Sequence, residues 1–164
     1  MPEKNSTGAR RTRQAALAKT FASGFGLLSR AGRSVPFAAP HRHGVELIPD
    51  IPYRAGGRME HRLDVYRPLN LSAAPPPAVI YFHGGGFRAL SKESHWLMGL
   101  AFARRGYVVF NAAYRLAPES PFPAAWQDIA TVWSWVLDHA ASYGADPQRV
   151  VVAGESAGAN LAAS

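Results

Sequence analysis

The serine in Gly154-Glu155-Ser156-Ala157-Gly158 is the strongest chemical signal in the chain. A serine hydroxyl attacks an acyl carbon only when a base takes its proton and nearby donors stabilise the charge that develops. The G-x-S-x-G spacing meets the first geometric requirement. Gly154 and Gly158 let the backbone turn tightly and keep side chains away from the hydroxyl. Residues 149–153, Arg-Val-Val-Val-Ala, precede the motif as a short apolar strand, and residues 160–163, Asn-Leu-Ala-Ala, follow it as a helix start. Strand, sharp turn and helix place the Ser156 hydroxyl above the carboxyl end of a strand.

A second motif, His83-Gly84-Gly85-Gly86-Phe87, follows the apolar run Ala78-Val79-Ile80-Tyr81-Phe82. Consecutive glycines leave backbone N–H groups free to approach a ligand oxygen. With the N–H of Ala157 they could hold the oxyanion of a tetrahedral intermediate. Alone, such a run reads as a flexible turn after a buried strand. Paired with the serine motif on the next strand but one, it reads as an oxyanion loop.

Together, HGGGF, YRLAPESPFPAAWQD and GADPQRVVVAGESAGANLAAS resemble the hormone-sensitive-lipase-like branch of the α/β-hydrolases, which are carboxylesterases and lipases. The resemblance covers residues 44–164. It implies an α/β-hydrolase fold, a mostly parallel sheet with helices on both faces. It also implies Ser156 as nucleophile, Gly85, Gly86 and Ala157 as oxyanion donors, and His83 as a residue that shapes the glycine loop together with Gly84. The implied reaction is hydrolysis of a small-molecule ester through an acyl-enzyme, with no metal or cofactor. Glu155 stands where aspartate is common and Ala159 where glycine is common, which bears on sub-branch and substrate rather than on chemistry.

A triad in this fold runs Ser, then Asp or Glu, then His along the chain. No Asp, Glu or His follows Ser156, and all six histidines precede it. The expectation is therefore an N-terminal part of a hydrolase, ending after the elbow, with the acid and base outside the chain and with little activity alone. His83 is the nearest substitute base. Two other readings stay open: a non-catalytic ligand-binding homologue, and an inert truncated product. The elbow strand would lack one neighbour, and Val150-Val151-Val152-Ala153 would then present an unpaired apolar edge. Such edges template pairing with other chains, so the isolated chain is expected to self-associate.

Charge divides the chain. Residues 1–43 carry the whole net charge of +7, and residues 44–164 are neutral. The basic leader reads as a disordered or helical extension, a cap-forming segment, or a targeting peptide. No nucleic-acid-binding module accompanies this charge, and none is expected as a partner. Cysteine is absent, which excludes disulfides and thiolate chemistry. No run of about 18 apolar residues suggests membrane insertion, and the implied location is the cytoplasm.

The elements that must position the motifs follow from periodicity and turn residues. Strands are predicted over 45–53 and 61–67 around Ala55-Gly56-Gly57, then over 78–82 and 107–113. A helix is predicted over 96–105, closed by Gly106. A longer helix lies within 121–143, with Trp126, Ile129, Trp133, Val136 and Ala140 as its core stripe. Asp128 and Asp138 read as surface or helix-packing carboxylates, Arg115 and Glu119 as a structural loop pair, and Asp64 as a turn or strand partner.

Overall fold

The computed structural model describes residues 24–29, 31–33, 35–70 and 73–164. Most of the basic leader, including Arg10-Arg11, lies outside the described residues. Five strands and three helices carry the site: β1 (Val45–Pro52), β2 (Arg62–Pro68), β3 (Pro77–Phe82), α1 (Trp96–Ala103), β4 (Val108–Ala112), α2 (Ala124–His139), β5 (Asp146–Gly154) and α3 (Ala157–Ala162).

The sheet order is β1-β2-β4-β3-β5. β2 pairs antiparallel with both β1 and β4, while β3 pairs parallel with both β4 and β5. Four strands thus run one way and β2 runs against them. The sheet is mixed rather than mostly parallel by pairing, because the opening hairpin places β2 inside it.

Side chains alternate across a strand, and β3 shows what this does. Ile80 and Phe82 join Val65, Phe110, Val132 and Leu161 on the face covered by α2 and α3. Val79 and Tyr81 join Tyr66, Val109, Trp96 and Leu100 on the face covered by α1. Helices on both faces bury the central strands, so β4 is apolar almost throughout.

The core stripe of α2 differs from expectation. Val136 and Ala140 are buried and Ile129 packs partly buried against the core, but the other buried positions are Ala124, Ala125, Asp128 and Val132. Trp126 and Trp133 keep 42% and 41% of their surface exposed. With Ile129, Val152 and Leu161 they wall a cavity of about 410 Å³ beside β5. The sheet ends at β5, where Val151 is half exposed.

The described end of the basic segment touches this body. Residues 24–29 and 31–33 are helical. Trp96 Nε1 donates to the Ser29 carbonyl at 3.1 Å, and Ser29 Oγ donates to the Ser94 carbonyl at 2.8 Å. Ala38 is buried in the α1-side core.

Candidate active site

β5 delivers Gly154, the chain reverses at Ser156, and α3 begins at Ala157. Ser156 has φ 49° and ψ −115°. Positive φ is uncommon for a side-chain-bearing residue and persists only where surroundings enforce it. The flanking glycines are part of that enforcement. A Cβ on Gly154 would lie 2.4 Å from the Gly158 carbonyl carbon, and one on Gly158 would lie 2.0 Å from the Phe82 carbonyl oxygen. Strand β5, helix α3 and the end of β3 therefore meet backbone to backbone. Ser156 is exposed.

The glycine loop leaves β3 directly opposite. Gly85 has φ 119° and Gly86 φ 61°. A Cβ on Gly85 would fall 1.9 Å from the Ala89 carbonyl oxygen, so only glycine fits. The Gly85 carbonyl accepts from both Arg88 N and Ala89 N at 3.1 Å, and Ala117 N donates to the Phe87 carbonyl at 2.8 Å. The loop is a closed turn rather than a floppy one. Among the described residues, none accepts a hydrogen bond from the N–H of Gly85, Gly86 or Ala157. Gly86 is exposed and Gly85 partly buried, so these N–H groups are open to solvent or to a ligand oxygen.

His83 is almost fully buried, with its ring stacked on Tyr114 at 4.3 Å and 14°. Its Nδ1 donates to the Gly84 carbonyl at 2.7 Å, and Tyr114 Oη donates to the His83 carbonyl at 2.7 Å. Burial pushes the ring down to about 4, against the pull of its bond to Gly84. A neutral ring bonded to its own loop is placed to hold Gly84, not to take a proton from serine. No described residue hydrogen-bonds the Ser156 hydroxyl.

Sequence reasoning missed three groups near this end of the sheet. His95, nearly buried, places Nε2 at 2.7 Å from Glu155 Oε1 and so links the segment after the glycine loop to the elbow. Lys92 is buried, with Nζ at 2.6 Å from Asp64, 2.9 Å from Asp50 and 2.8 Å from Glu93. Burial acts to lower its pKa, but the three carboxylates outweigh that and hold it above the usual lysine range. Asp64 is thus a buried ion-pair partner in mid-strand, not a turn residue. Asp128 is likewise fully buried, where Arg115 grips both of its carboxylate oxygens at 2.8–3.0 Å. Arg115 therefore pairs with Asp128 rather than Glu119. These contacts join residues far apart in sequence, and only the histidine itself, following the glycine loop, offered a signal.

A cleft of about 500 Å³ runs between Gly86 and Asn160, walled by Phe87, Phe122 and Trp126 with Arg88 at its side. It reaches the site from the glycine loop on one side and from the first turn of α3 on the other. Among the described residues no group of three His, Cys, Asp or Glu side chains could hold a metal ion. No helix among them is long and apolar enough to cross a membrane.

The chain is similar to known proteins. Carboxylesterase NlhH of Mycobacterium tuberculosis is 42% identical over 88 residues, covering 53% of this chain and 28% of that enzyme. Human hormone-sensitive lipase is 38% identical over 84 residues, covering 51% of this chain and 8% of that protein. The solved structure of a bacterial heroin esterase superposes with a TM-score of 0.72 at 33% identity, over 88% of this chain and 43% of that one. The chain spans less than a third of the length of curated relatives such as NlhH and the Moraxella Lipase 2. The family model described as alpha/beta hydrolase fold matches residues 79–164, from the glycine-loop strand through the elbow, and the chain belongs to that family of carboxylesterases and lipases.

Proposed function

We propose that residues 44–164 form the nucleophile and oxyanion half of a carboxylic ester hydrolase. Ser156 Oγ would attack the acyl carbon and form the acyl-enzyme. The N–H groups of Gly85, Gly86 and Ala157 would receive the oxyanion, a contribution worth on the order of 10²–10³ in rate per donor. The observation that carries this reading is the strained Ser156 backbone standing across from a closed glycine turn whose N–H groups donate to nothing else.

The base that activates Ser156 and protonates the leaving alcohol would come from outside the residues described, in the part of the fold that solved relatives have and this sequence does not span. The aromatic cleft between Gly86 and Asn160 would seat one arm of the ester. Its aromatic walls suit an apolar or aryl group, with Arg88 and Arg115 also on its lining. The names of the relatives, carboxylesterase NlhH and hormone-sensitive lipase, support an ester substrate.

The test is hydrolysis of p-nitrophenyl acetate by this chain beside its Ser156→Ala variant. The wild-type chain is expected to turn over slowly, just above buffer and without a burst, and the variant to fall to the buffer rate. A wild-type rate clearly above buffer that the variant matches would remove Ser156 as nucleophile and leave a ligand-binding role. A fast burst lost in the variant would show that the chain recruits its own base.

A further inference from the structure

One side of the strained elbow is held by Gly154 and Gly158 against β3. The other side is held by Glu155. Its side chain lies across Gly84, where an added Cβ would come within 3.2 Å of Oε1. That same Oε1 is 2.7 Å from His95 Nε2. A carboxylate only accepts, so the contact needs a proton on Nε2.

A neutral imidazole carries one proton and can place it on either nitrogen. The Glu155 carboxylate calls for the proton on Nε2, and the surroundings of Nδ1 decide how well that tautomer is accommodated. Nδ1 lies 2.9 Å from Ser94 Oγ and 3.1 Å from the Ser91 carbonyl, while Ser94 Oγ is itself 2.7 Å from that carbonyl. A hydroxyl rotates to suit its neighbours. It can donate to Nδ1 of a neutral ring. When the ring takes a second proton, it can turn to the Ser91 carbonyl while Nδ1–H donates in its place. The Nε2–H facing Glu155 is kept in both states.

We propose that Ser94, His95 and Glu155 form a latch that fixes the Ser156 elbow against the glycine loop, with the Ser94 hydroxyl making the latch indifferent to the protonation of His95. All three are positioning residues. Other groups facing the ring do not disturb the scheme. His83 lies 5.6 Å away between ring centres and stays neutral above about pH 4. Tyr81, at 6.3 Å, is pushed up to about 12 by burial and by Glu155. Phe25, also at 6.3 Å, carries no charge. Glu93, on the same segment, is held by Lys92. The consequence for rate rests on Ser156 being the nucleophile, but the latch itself can be tested without turnover.

The experiment is amide hydrogen exchange of peptides covering 154–164, corrected for chemical exchange, at about pH 5.5 and about pH 8. In the wild-type chain the protection of this segment is expected to be equal at the two pH values. Ser94→Ala leaves Nδ1 of the neutral ring without a donor, so its lone pair faces the Ser91 carbonyl and pushes the ring from its Nε2–H contact with the carboxylate, a clash that a proton on Nδ1 removes. That variant should lose about tenfold protection at pH 8 and recover it at pH 5.5, the scale of one charge-assisted hydrogen bond. Ser94→Thr should behave as wild type, and Glu155→Leu should be weak at both pH values. Ser94→Ala matching the wild type throughout, or losing protection equally at both pH values, would overturn the proposal, because losing the bond from Ser91 N to the Ser94 hydroxyl carries no pH dependence by itself. Because no step requires an acyl substrate, an inactive Ser156 and a failed latch give separate results.

Discussion

The two edges of the sheet are built differently. β1 is guarded. It contains Pro49 and Pro52, its register with β2 shifts between Ile48 and Ile51, and Asp50 adopts φ 58° at that irregularity. Its outer residues are tied inward, because Asp50 Oδ1 and Asp64 Oδ1 share Lys92 Nζ, and Asp50 N donates to Asp64 at 3.0 Å. Prolines, bulges and charge are the devices by which natural sheets blunt an edge. β5 has none of them over Val150-Val151-Val152-Ala153, and its face continues into the apolar cavity beside Trp126 and Trp133. The contrast is that one edge of the described sheet carries these devices and the other does not. The solved relatives, of which the chain covers 42–48%, are about twice its length.

The largest effect should come from breaking the guarded side. Lys92→Met strands the fully buried Asp64 without its cation. Removing one partner of a buried pair costs roughly 3–5 kcal/mol, and urea unfolding should show a loss of that size. A change below about 1 kcal/mol would mean that water already screens the cluster.

Acid should separate the two sides next. The folded His83 ring sits at about 4 against an ordinary 6.5, so the unfolded chain takes up its proton first as the pH falls. Its stability is complete above about pH 6.5 and is lost down to about pH 4, on the order of 3 kcal/mol in all. Glu93 behaves differently. Burial raises its carboxyl, but Lys92 and Ser91 outweigh that and bring it to about 2 from 4.5. The contribution of Glu93 is present above about pH 4.5 and fades as the pH falls towards 2. Hydrogen exchange between pH 6.5 and 4 should therefore loosen the glycine loop around His83 while the elbow and the contacts around Lys92 hold. Uniform loosening would break the comparison.

Much of this contrast was legible in the sequence. The hairpin, the parallel core, the glycine turn and the strand–turn–helix around Ser156 each follow from local patterns, because each is set by residues a few positions apart. The inward face of α2 was not legible. Trp126 and Trp133 dominate any reading of hydrophobic period, yet the buried row contains Asp128, whose charge is answered by Arg115 from a loop. A buried carboxylate looks like a surface residue until its partner is known. His95 with Glu155, and Lys92 with Asp64, escaped for the same reason, since their partners are distant in sequence.

The open edge gives a change in association rather than in folding. The chain should self-associate at micromolar concentration, and Val151→Lys should shift sedimentation towards the monomer while altering stability by less than about 0.5 kcal/mol. A wild-type chain that stays monomeric would show that the edge is already protected. The smallest effect is expected at Asp50. Glycine relieves its positive φ but removes a partly exposed ion-pair partner, so Asp50→Gly should fall within about 1 kcal/mol of wild type, with Asp50→Ala less stable than Asp50→Gly. The reverse order would place the ion pair above backbone strain at this edge.

The central claim is that Ser156 stands in a preformed elbow facing open backbone donors, and covalent trapping tests it most directly. After prolonged exposure to an alkyl fluorophosphonate, peptide mass mapping should find the phosphonyl group on Ser156 and on no other serine, with no adduct in the folded Ser156→Ala variant. An adduct on a different residue, or none on a wild-type chain whose far-UV spectrum shows it folded, would contradict the account.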